Sequence, residues 1–218
     1  MNNILTLFHG YVGLLMENKN LDKQTQAGLT KIKEGAAAAS ELMDRTHSLA
    51  RPSTLIWREV QIADFVRTMK PSLMMFCGPR TQLELDFPED VPPAWADGAR
   101  LKTIIFELIR NALEATFATG GTVKVRLRTM VAPAGSRTAK GLPWICFSVC
   151  DDGPGISENV RERIFQPFFS TKKRKSNAGL GLTVALTFVQ HLGGILRSHS
   201  VPGNTEFEVL LPSRSSAA

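Results

Sequence analysis

The 218-residue sequence predicts an α+β protein in which a two-helix hairpin precedes a two-layer α/β sandwich, a mixed sheet with helices on one face. Three observations predict this fold class. Apolar residues in the first fifty positions recur at alternating intervals of three and four, the period of paired helices. Later segments alternate apolar and polar residues, as strands do. Long apolar stripes at helical spacing separate these strands, and a sheet covered by helices forms two layers.

The first predicted helix carries an apolar stripe of Ile4, Phe8, Tyr11 and Leu15. A polar break follows at residues 17–20. The stripe of the second helix consists of Leu29, Ile32, Ala36, Ala39 and Met43.

The two predicted arms differ in length. The first covers only residues 2–17, whereas the second runs from about residue 21 to about residue 50. Antiparallel helices joined by a short loop normally match in length. We therefore expect the first helix to begin upstream of Met1, and we also expect a second chain to cover part of the longer arm.

Six strands are expected after the helix-ending Arg51-Pro52-Ser53. Residues 122–131 alternate apolar and polar side chains, and residues 143–150 form the apolar run of a buried strand. The last two strands flank a turn at Pro202-Gly203-Asn204. The predicted strands cover residues 59–61, 82–87, 122–131, 143–150, 195–199 and 206–211.

Four helices are expected among these strands. The first covers residues 63–76. Asp97 caps the longest one and Gly120-Gly121 stops it. Ser157 is expected to cap a short helix that runs through Ile164. The apolar face of the longest helix comprises Leu101, Ile104, Ile105, Leu108, Ile109, Ala112 and Leu113.

Composition and charge are those of an ordinary globular chain, with 43% hydrophobic and 21% charged residues and a net charge of +6. The basic run at residues 172–175 fits either a solvated loop or one that meets a phosphate-rich small molecule. No apolar run reaches the roughly 18 residues that span a bilayer. The amino terminus lacks the features of a signal peptide. We expect a cytoplasmic protein, or a cytoplasmic part whose membrane segments lie outside this chain.

The three cysteines are Cys77, Cys146 and Cys150. The last two share one face of a predicted strand but lie too far apart to form a disulfide, because a strand rises about 3.3 Å per residue. Their spacing suits no metal site. We expect three buried thiols in a reducing compartment.

Two polar side chains interrupt the longest predicted helix. Glu107 and Asn111 are four residues apart, so they project from one face. An amide oxygen can ligate Mg²⁺, and a nearby carboxylate can orient water or polarise an attacking group. The alternative is that both side chains are solvated surface residues.

The stretch DDGPGI places a strand end directly before a glycine turn. Gly153 and Gly155 allow the backbone to pass close to a ligand. Asp151 could accept a hydrogen bond from an exocyclic amine such as that of adenine, whereas Asp152 is expected to point outward. The alternative is a tight turn with no ligand.

Two further segments follow in the same order. Residues 164–172 are dense in aromatics, which can anchor a loop to a core or hinge it over a site. Gly179 and Gly181 open the helix at residues 180–192, where free backbone N–H groups can bind phosphate. By itself a Gly-x-Gly pair is a weak signal.

Together these four segments resemble the catalytic core of sensor histidine kinases, within the ATPase superfamily that includes gyrase and MutL. Residues 107–115 match its asparagine box, and residues 151–155 match its first glycine box, D-x-G-x-G. Residues 165–169 match the phenylalanine box and residues 179–182 the second glycine box, G-L-G-L. The resemblance covers about residues 60–212, and four boxes in order are highly specific.

The resemblance implies ATP and Mg²⁺ as cofactors. Asn111 would ligate the Mg²⁺ that bridges the phosphates, Glu107 would act in catalysis beside it, and Asp151 would bond the adenine amino group. The implied nucleotide-binding residues are Asn111, Asp151, Gly153, Gly155, Ile156, Phe168, Thr171, Lys172, Gly179, Leu180, Gly181, Leu182 and Thr205.

Residues 172–178 correspond to the family's lid, whose basic run can offset triphosphate charge. The sequence departs from the family pattern where Asn177 and Ala178 replace the Gly and Thr or Ser that often precede G-L-G-L. Glu107 also departs from many kinases, which have Asn there, while gyrase-like members have Glu as a hydrolytic base.

Residues 1–52 resemble the family's dimerisation and phosphoacceptor hairpin, and residues 53–218 resemble its ATP-binding domain. The opening MNNILT matches the tail of a His-Asp-x-Asn-Asn motif, so the acceptor His is expected just before residue 1. The four histidines present do not fit the acceptor position: His9, His47, His191 and His199.

The function implied is transfer of the ATP γ-phosphate to that His and then to an Asp of a response regulator. Two alternatives stay open, an ATP hydrolase of the gyrase or MutL kind with Glu107 as base, and a non-catalytic phosphotransfer or scaffold protein. The implied partners are a second copy, bound through the hairpin, and a receiver domain. We expect no nucleic acid, and a membrane only if the chain is the cytoplasmic part of a membrane-bound sensor.

Overall fold

The structure is a computed structural model that describes residues 2–18, 21–33, 35–36, 54–133, 143–171 and 179–213. Its contacts divide the chain into two units. The first consists of Met1–Pro52 and Phe168–Leu180, and the second of Ser53–Pro167 and Gly181–Ala218.

The first unit contains helix α1, Asn2–Met16, and helix α2, which covers residues 23–33. Asp22 begins α2, because its Oδ1 accepts hydrogen bonds from the backbone N–H groups of Gln24 and Thr25, both at 2.9 Å. The side-chain hydrogen bond from Thr25 lowers the pKa of this carboxyl. Asp22 therefore caps the amino terminus of α2.

The predicted apolar stripe of the hairpin is wrong in part. Leu29 and Ala36 are buried as predicted, but Tyr11, Leu15 and Ile32 are exposed. The buried side of α1 includes Val12, which the predicted stripe did not contain. Predicted stripe residues whose side chains lie outside the described residues are Ile4, Phe8, Ala39 and Met43.

The second unit alternates strands and helices. Its strands are β1 (Trp57–Val60), β2 (Thr81–Asp86), β3 (Ala94–Asp97), β4 (Gly121–Met130), β5 (Trp144–Asp151), β6 (Ile195–Val201) and β7 (Asn204–Pro212). Its helices are α3 (Ile62–Met74), α4 (Gly98–Thr116), α5 (Glu158–Arg161) and α6 (Gly181–His191).

Five strands form the main sheet in the order β2-β4-β5-β7-β6. The β2–β4 pair is parallel and the other pairs are antiparallel, so the predicted mixed sheet is confirmed. The strands β1 and β3 form a separate antiparallel pair. Since β3 has only four residues, AWAD, its alternation was too short to predict.

Helix α4 packs against α6, β4 and β5 and supplies much of the core. All seven apolar residues of its predicted face are buried. Asp97 caps the helix as predicted, since its Oδ1 accepts hydrogen bonds from the backbone N–H groups of Ala99 and Arg100 at 3.0 Å. Asp97 Oδ2 also accepts from the N–H of Ile56, at 2.9 Å, and so ties the segment before β1 to this cap.

Two smaller expectations are corrected. Ser157 precedes α5, but its hydroxyl contacts the Asn159 side chain instead of capping the helix, and α5 ends at Arg161 rather than at Ile164. After Arg161, backbone N–H groups donate to carbonyls three residues earlier instead of four, as in the 2.8 Å hydrogen bond from Arg163 to Val160.

All three cysteines are free thiols, as predicted. Cys146 is fully buried, and burial raises the pKa of its thiol to about 12. Cys77 and Cys150 are only partly buried, which corrects the expectation for these two.

No helix within the described ranges combines the length and the apolarity that crossing a bilayer requires.

Candidate functional site

Glu107 lies in the middle of α4 and is buried, with 5% of its surface exposed. Its Oε2 forms an ion pair with the guanidinium of Arg110, one turn later. The alternative of a solvated surface carboxylate is therefore wrong for Glu107. Asn111, the next residue after Arg110, is half-buried on the same helix.

Arg110 is held on several sides. Its guanidinium lies 5.9 Å from the ring centre of Phe76 and 5.5 Å from that of Phe106. Glu114 Oε1 lies 3.6 Å from its Nε. Cation–π contacts and two carboxylates thus fix the Arg110 side chain, and Arg110 in turn fixes Glu107.

The first residue of α6 meets this pair. A Cβ placed on Gly181 would collide with Oε2 of Glu107 and would lie 3.5 Å from Nη2 of Arg110. A side chain at position 181 would therefore displace the Glu107 carboxylate where the amino terminus of α6 approaches the polar face of α4. The structure brings Glu107 and Gly181 together, and Leu182 follows as a half-buried residue of α6.

Asp151 ends β5 and is buried, with 3% of its surface exposed. It stands directly opposite Thr205 of β7, and Thr205 stands opposite Ser200 of β6. Directly opposed residues share one face of a sheet. A buried polar row of Asp151, Thr205 and Ser200 therefore crosses three strands at one end of the sheet.

The glycine turn after Asp151 is packed from two sides. A Cβ on Gly153 would lie 2.7 Å from Oδ1 of Asp151 and 3.2 Å from Cβ of Ala115 on α4. Gly155 has φ of +82°, and a Cβ there would lie 2.8 Å from the Val201 carbonyl oxygen. The backbone N–H of Gly203 donates to the Gly153 carbonyl at 3.0 Å. The glycine turn therefore packs between α4 on one side and the β6–β7 turn on the other.

The two neighbouring carboxylates differ as predicted in exposure. Asp152 is exposed, and its Oδ1 accepts a hydrogen bond from the Thr122 backbone N–H at 2.8 Å. Ile156 is half-buried, and its N–H donates to Oγ of Ser200 at 2.8 Å. Asp152 is therefore hydrogen-bonded to the neighbouring strand β4, and Ile156 links the glycine turn to the polar row by its hydrogen bond to Ser200.

Several residues of the predicted site belong to the first unit. Phe168 is 63% exposed and has a φ of 65°, which is unusual for an aromatic residue. Gly179 has a φ of +67°, and a Cβ there would lie 2.6 Å from the Phe169 carbonyl oxygen. Thr171 is exposed and Leu180 is buried. Lys172 and the rest of the predicted lid lie outside the described residues.

Sequence reasoning missed Arg110 and Ser200. Arg110 had a readable signal, because Glu107 and Glu114 stand three residues before and four residues after it on a helix. Ser200 had none, since only strand register places it beside Thr205. Arg161, also missed, donates to the Ser200 carbonyl at 2.7 Å.

The second unit offers groups that suit a nucleotide. The buried carboxylate of Asp151 can accept a hydrogen bond, and the glycine turn beside it lets a ligand approach the backbone. The amino terminus of α6 presents backbone N–H groups, which suit a phosphate. No cluster of three or more His, Cys, Asp or Glu forms within the described ranges. Asn111 has the hard oxygen that Mg²⁺ takes together with phosphate oxygens and water.

Known proteins resemble this chain in both sequence and structure. Sensor kinase CckA of Brucella abortus is 29% identical over 97% of this chain, which spans 23% of CckA. The C4-dicarboxylate transport sensor protein DctB of Rhizobium meliloti is 34% identical over 62% of this chain and 20% of DctB. The chain thus spans about a quarter or less of these two relatives.

Two solved structures show the same fold. Full-length ShkA, solved in complex with AMPPNP, aligns with all of this chain and 45% of its own, with a TM-score of 0.75 and 24% identity. The histidine kinase AdeS of Acinetobacter baumannii aligns with 96% of this chain and 95% of its own, with a TM-score of 0.61 and 17% identity.

Residues 96–215, more than half of the chain, match the model of a family described as "Histidine kinase-, DNA gyrase B-, and HSP90-like ATPase". The matched range contains both glycine boxes and the asparagine box, so the resemblance inferred from these motifs is confirmed. The chain belongs to the family of histidine kinase-, DNA gyrase B- and HSP90-like ATPases.

Proposed function

We propose that this chain is the ATP-binding kinase core of a two-component sensor histidine kinase, with a hairpin over residues 1–52 and a catalytic domain over residues 53–218. One observation carries the proposal. The similarity to a protein named as a sensor kinase runs over 97% of the chain, so it includes the hairpin as well as the ATPase domain.

In the proposed complex, Asp151 accepts a hydrogen bond from the adenine amino group. Gly153, Gly155, Ile156 and Thr205 form the walls of the base pocket. Their support is the buried polar row and the bare glycine turn beside it.

The phosphate end of the proposed site centres on Asn111. Asn111 ligates Mg²⁺, which neutralises phosphate charge. We place Glu107 in catalysis beside Asn111, because its Oε2 lies where a Cβ on Gly181 at the start of α6 would stand. The remaining residues that we place near the phosphates or in the lid are Phe168, Thr171, Lys172, Gly179, Leu180 and Leu182.

The proposed reaction moves the γ-phosphoryl group of ATP to an imidazole nitrogen, with ADP as the leaving group. The acceptor is a His that we place before residue 1 in a longer protein. A carboxylate of a response-regulator receiver domain then takes the phosphoryl group from the His. Positioning and charge neutralisation supply most of the catalysis in phosphoryl transfer.

A phosphorylation assay tests this function. The protein extended upstream of residue 1 is incubated with Mg-ATP. We expect a phosphoprotein whose phosphoryl group is lost in acid and retained in alkali. Asn111→Ala should abolish the signal, while Asn159→Ala, a change to an exposed residue of α5, should retain it. Absence of a phosphohistidine in the extended protein would overturn the proposal.

An ATP hydrolase with Glu107 as base is less favoured. The named relatives are sensor kinases, and Oε2 of Glu107 is already paired with Arg110. A carboxylate paired with a cation is a weaker acceptor for a proton from water. Steady ATP hydrolysis that collapses in Glu107→Gln, without any phosphohistidine, would reverse this preference.

We further propose a cytoplasmic homodimer formed through the hairpin. Its support is a group of apolar residues on α1 and α2 that stay more than half exposed in the single chain, Leu7, Tyr11, Leu14 and Leu15, with Ile32 half exposed. Membrane attachment, if the longer protein has it, resides outside this chain.

A further inference from the structure

Arg110, the residue before Asn111, joins two carboxylates of helix α4. Its Nη2 is paired with Oε2 of Glu107, and its Nε lies 3.6 Å from Oε1 of Glu114. The side chains of Arg110 and Glu107 are each 6% exposed. Separating a charged pair at this depth is costly, so the Glu107 carboxylate stays bound to the guanidinium.

Two aromatic rings fix the direction of the Arg110 guanidinium. The ring centre of Phe106 lies 5.5 Å from it and that of Phe76 lies 5.9 Å from it. The two rings also contact each other edge to face, with their centres 5.9 Å apart. A planar cation held against two rings has little freedom to turn, so its Nη2 stays directed at Glu107.

The paired carboxylate faces the start of α6. A Cβ on Gly181 would collide with Oε2 of Glu107 and would lie 3.5 Å from Nη2 of Arg110. This helix start is where we place the phosphates of ATP, since its backbone N–H groups suit an anion. A carboxylate there that was not paired with a cation could take a proton from a water molecule that attacks the γ-phosphate.

We propose that Arg110 is a positioning residue that protects bound ATP from hydrolysis. By pairing with Oε2 of Glu107, it directs the carboxylate toward itself and lowers its capacity to accept a proton. ATP then persists in the site until its γ-phosphoryl group passes to the acceptor His. The inference rests on the proposed kinase function.

The reaction that Arg110 suppresses is attack by water on the γ-phosphorus. The oxygen of the water bonds to that phosphorus while Glu107 takes one of its protons. The bond from the γ-phosphorus to the bridging oxygen breaks, and ADP leaves with the electron pair. The products are ADP and inorganic phosphate, and Glu107 then returns its proton to solvent. An apolar residue in place of Arg110 would leave the carboxylate buried without this cation, and burial favours its protonated form.

The test measures the release of inorganic phosphate by the 218-residue chain at saturating Mg-ATP. The acceptor His that we propose lies outside this chain, so attack by water is the reaction followed. Arg110→Met should raise kcat for phosphate release at least about tenfold, because a general base typically contributes about 100-fold or more. Adding Glu107→Gln to Arg110→Met should return kcat to the wild-type value, since an amide does not take the proton.

Two further variants accompany this comparison, and circular dichroism checks that each one is folded. Arg67→Met is the matched control, because Arg67 forms an exposed ion pair with Asp64 at the same helical spacing, and it should leave kcat as in the wild type. If Arg110→Met does not fold, the double variant Arg110→Met/Glu114→Gln replaces it. This variant removes the second carboxylate that loses its cation, and it should show the same rise.

The outcomes separate the inference from the proposed function. A wild-type chain that does not bind Mg-ATP would overturn the function. Folded Arg110 variants that bind Mg-ATP but release phosphate no faster than the wild type would overturn the inference alone, and a merely structural arginine would give this result. A rise that persists after Glu107→Gln is added would overturn it too, because another group would then be the base.

Discussion

Two adjacent carboxylates at the end of β5 have separate surroundings because successive strand residues face opposite sides of a sheet. Asp151 is buried beside Thr205, and Asp152 is exposed and braces Thr122. We therefore expect the same Asp→Asn substitution to affect ADP affinity at Asp151 but not at Asp152.

Asp151→Asn should raise the dissociation constant for ADP about tenfold or more, because a neutral amide accepts the adenine amino hydrogen more weakly than a carboxylate does. Calorimetric titration measures the affinity and thermal unfolding measures stability. Asp152→Asn is the matched control and should leave ADP affinity nearly unchanged. A fall in melting temperature for Asp151→Asn with unaltered ADP affinity would remove Asp151 from the nucleotide site.

Among the described residues, two Arg–carboxylate pairs share a three-residue helical spacing but differ in exposure. Arg110 and Glu107 on α4 are each 6% exposed in their side chains, whereas Arg67 and Asp64 on α3 are 60% and 67% exposed. Removing one partner of a buried pair strands a charge away from water. Water solvates whatever remains of an exposed pair.

Arg110→Met should therefore lower the free energy of unfolding by about 3–5 kcal/mol. Arg67→Met should lower it by less than about 1 kcal/mol. Urea unfolding at neutral pH measures both. A cost for Arg110→Met no greater than that for Arg67→Met would show that solvent reaches Glu107 in solution.

At the scale of elements, the start of α4 joins three segments. Asp97 accepts hydrogen bonds from the helix and from Ile56, and Gly98 packs where a Cβ would meet the Arg58 side chain. Burial by itself would raise the pKa of the Asp97 carboxyl, but the hydrogen bonds from Arg100, Ile56 and Ala99 together lower it below its usual value. The cap therefore stabilises the fold in its charged form.

Asp97→Ala should cost about 1–2 kcal/mol of unfolding free energy at pH 7. Because the pKa of Asp97 is lower in the folded protein, its contribution is complete above the unfolded pKa of about 3.9 and is lost as the pH falls through the folded value. Urea unfolding from pH 7 to pH 3 should thus show the gap between wild type and variant narrowing below about pH 4. A gap that does not change with pH would contradict the charged cap.

At the scale of the whole molecule, the exposed apolar residues of α1 and α2 bear on assembly. Leu14→Asp places a charge among them and should shift the protein from dimer to monomer, since burying an unpaired carboxylate opposes association. Sedimentation at several concentrations measures the change. Met75→Asp, at a residue of the second unit that is 82% exposed, is the control and should leave the oligomeric state intact. A Leu14→Asp protein that sediments like the wild type would remove this face from the dimer interface.

The sequence by itself determined the family and, in the ATP-binding domain, the order of the elements other than β3. The long helix from Gly98 to Thr116, its cap at Asp97 and the glycine boxes could be read directly, because hydrophobic period, capping and turn chemistry act between residues close in the chain. The short strand β3 was not predicted, because four residues are too few to show an alternating pattern and its partner β1 is distant in the sequence.

Only the tertiary structure decided which side chains meet. Glu107 could be read as a solvated residue until the fold placed Arg110, two aromatic rings and the start of α6 around it. Ser200 carried no signal until strand register set it beside Thr205 and Asp151. The physical reason is that burial and register depend on contacts between distant residues, and a one-residue shift in pairing would turn the whole polar row to the other face.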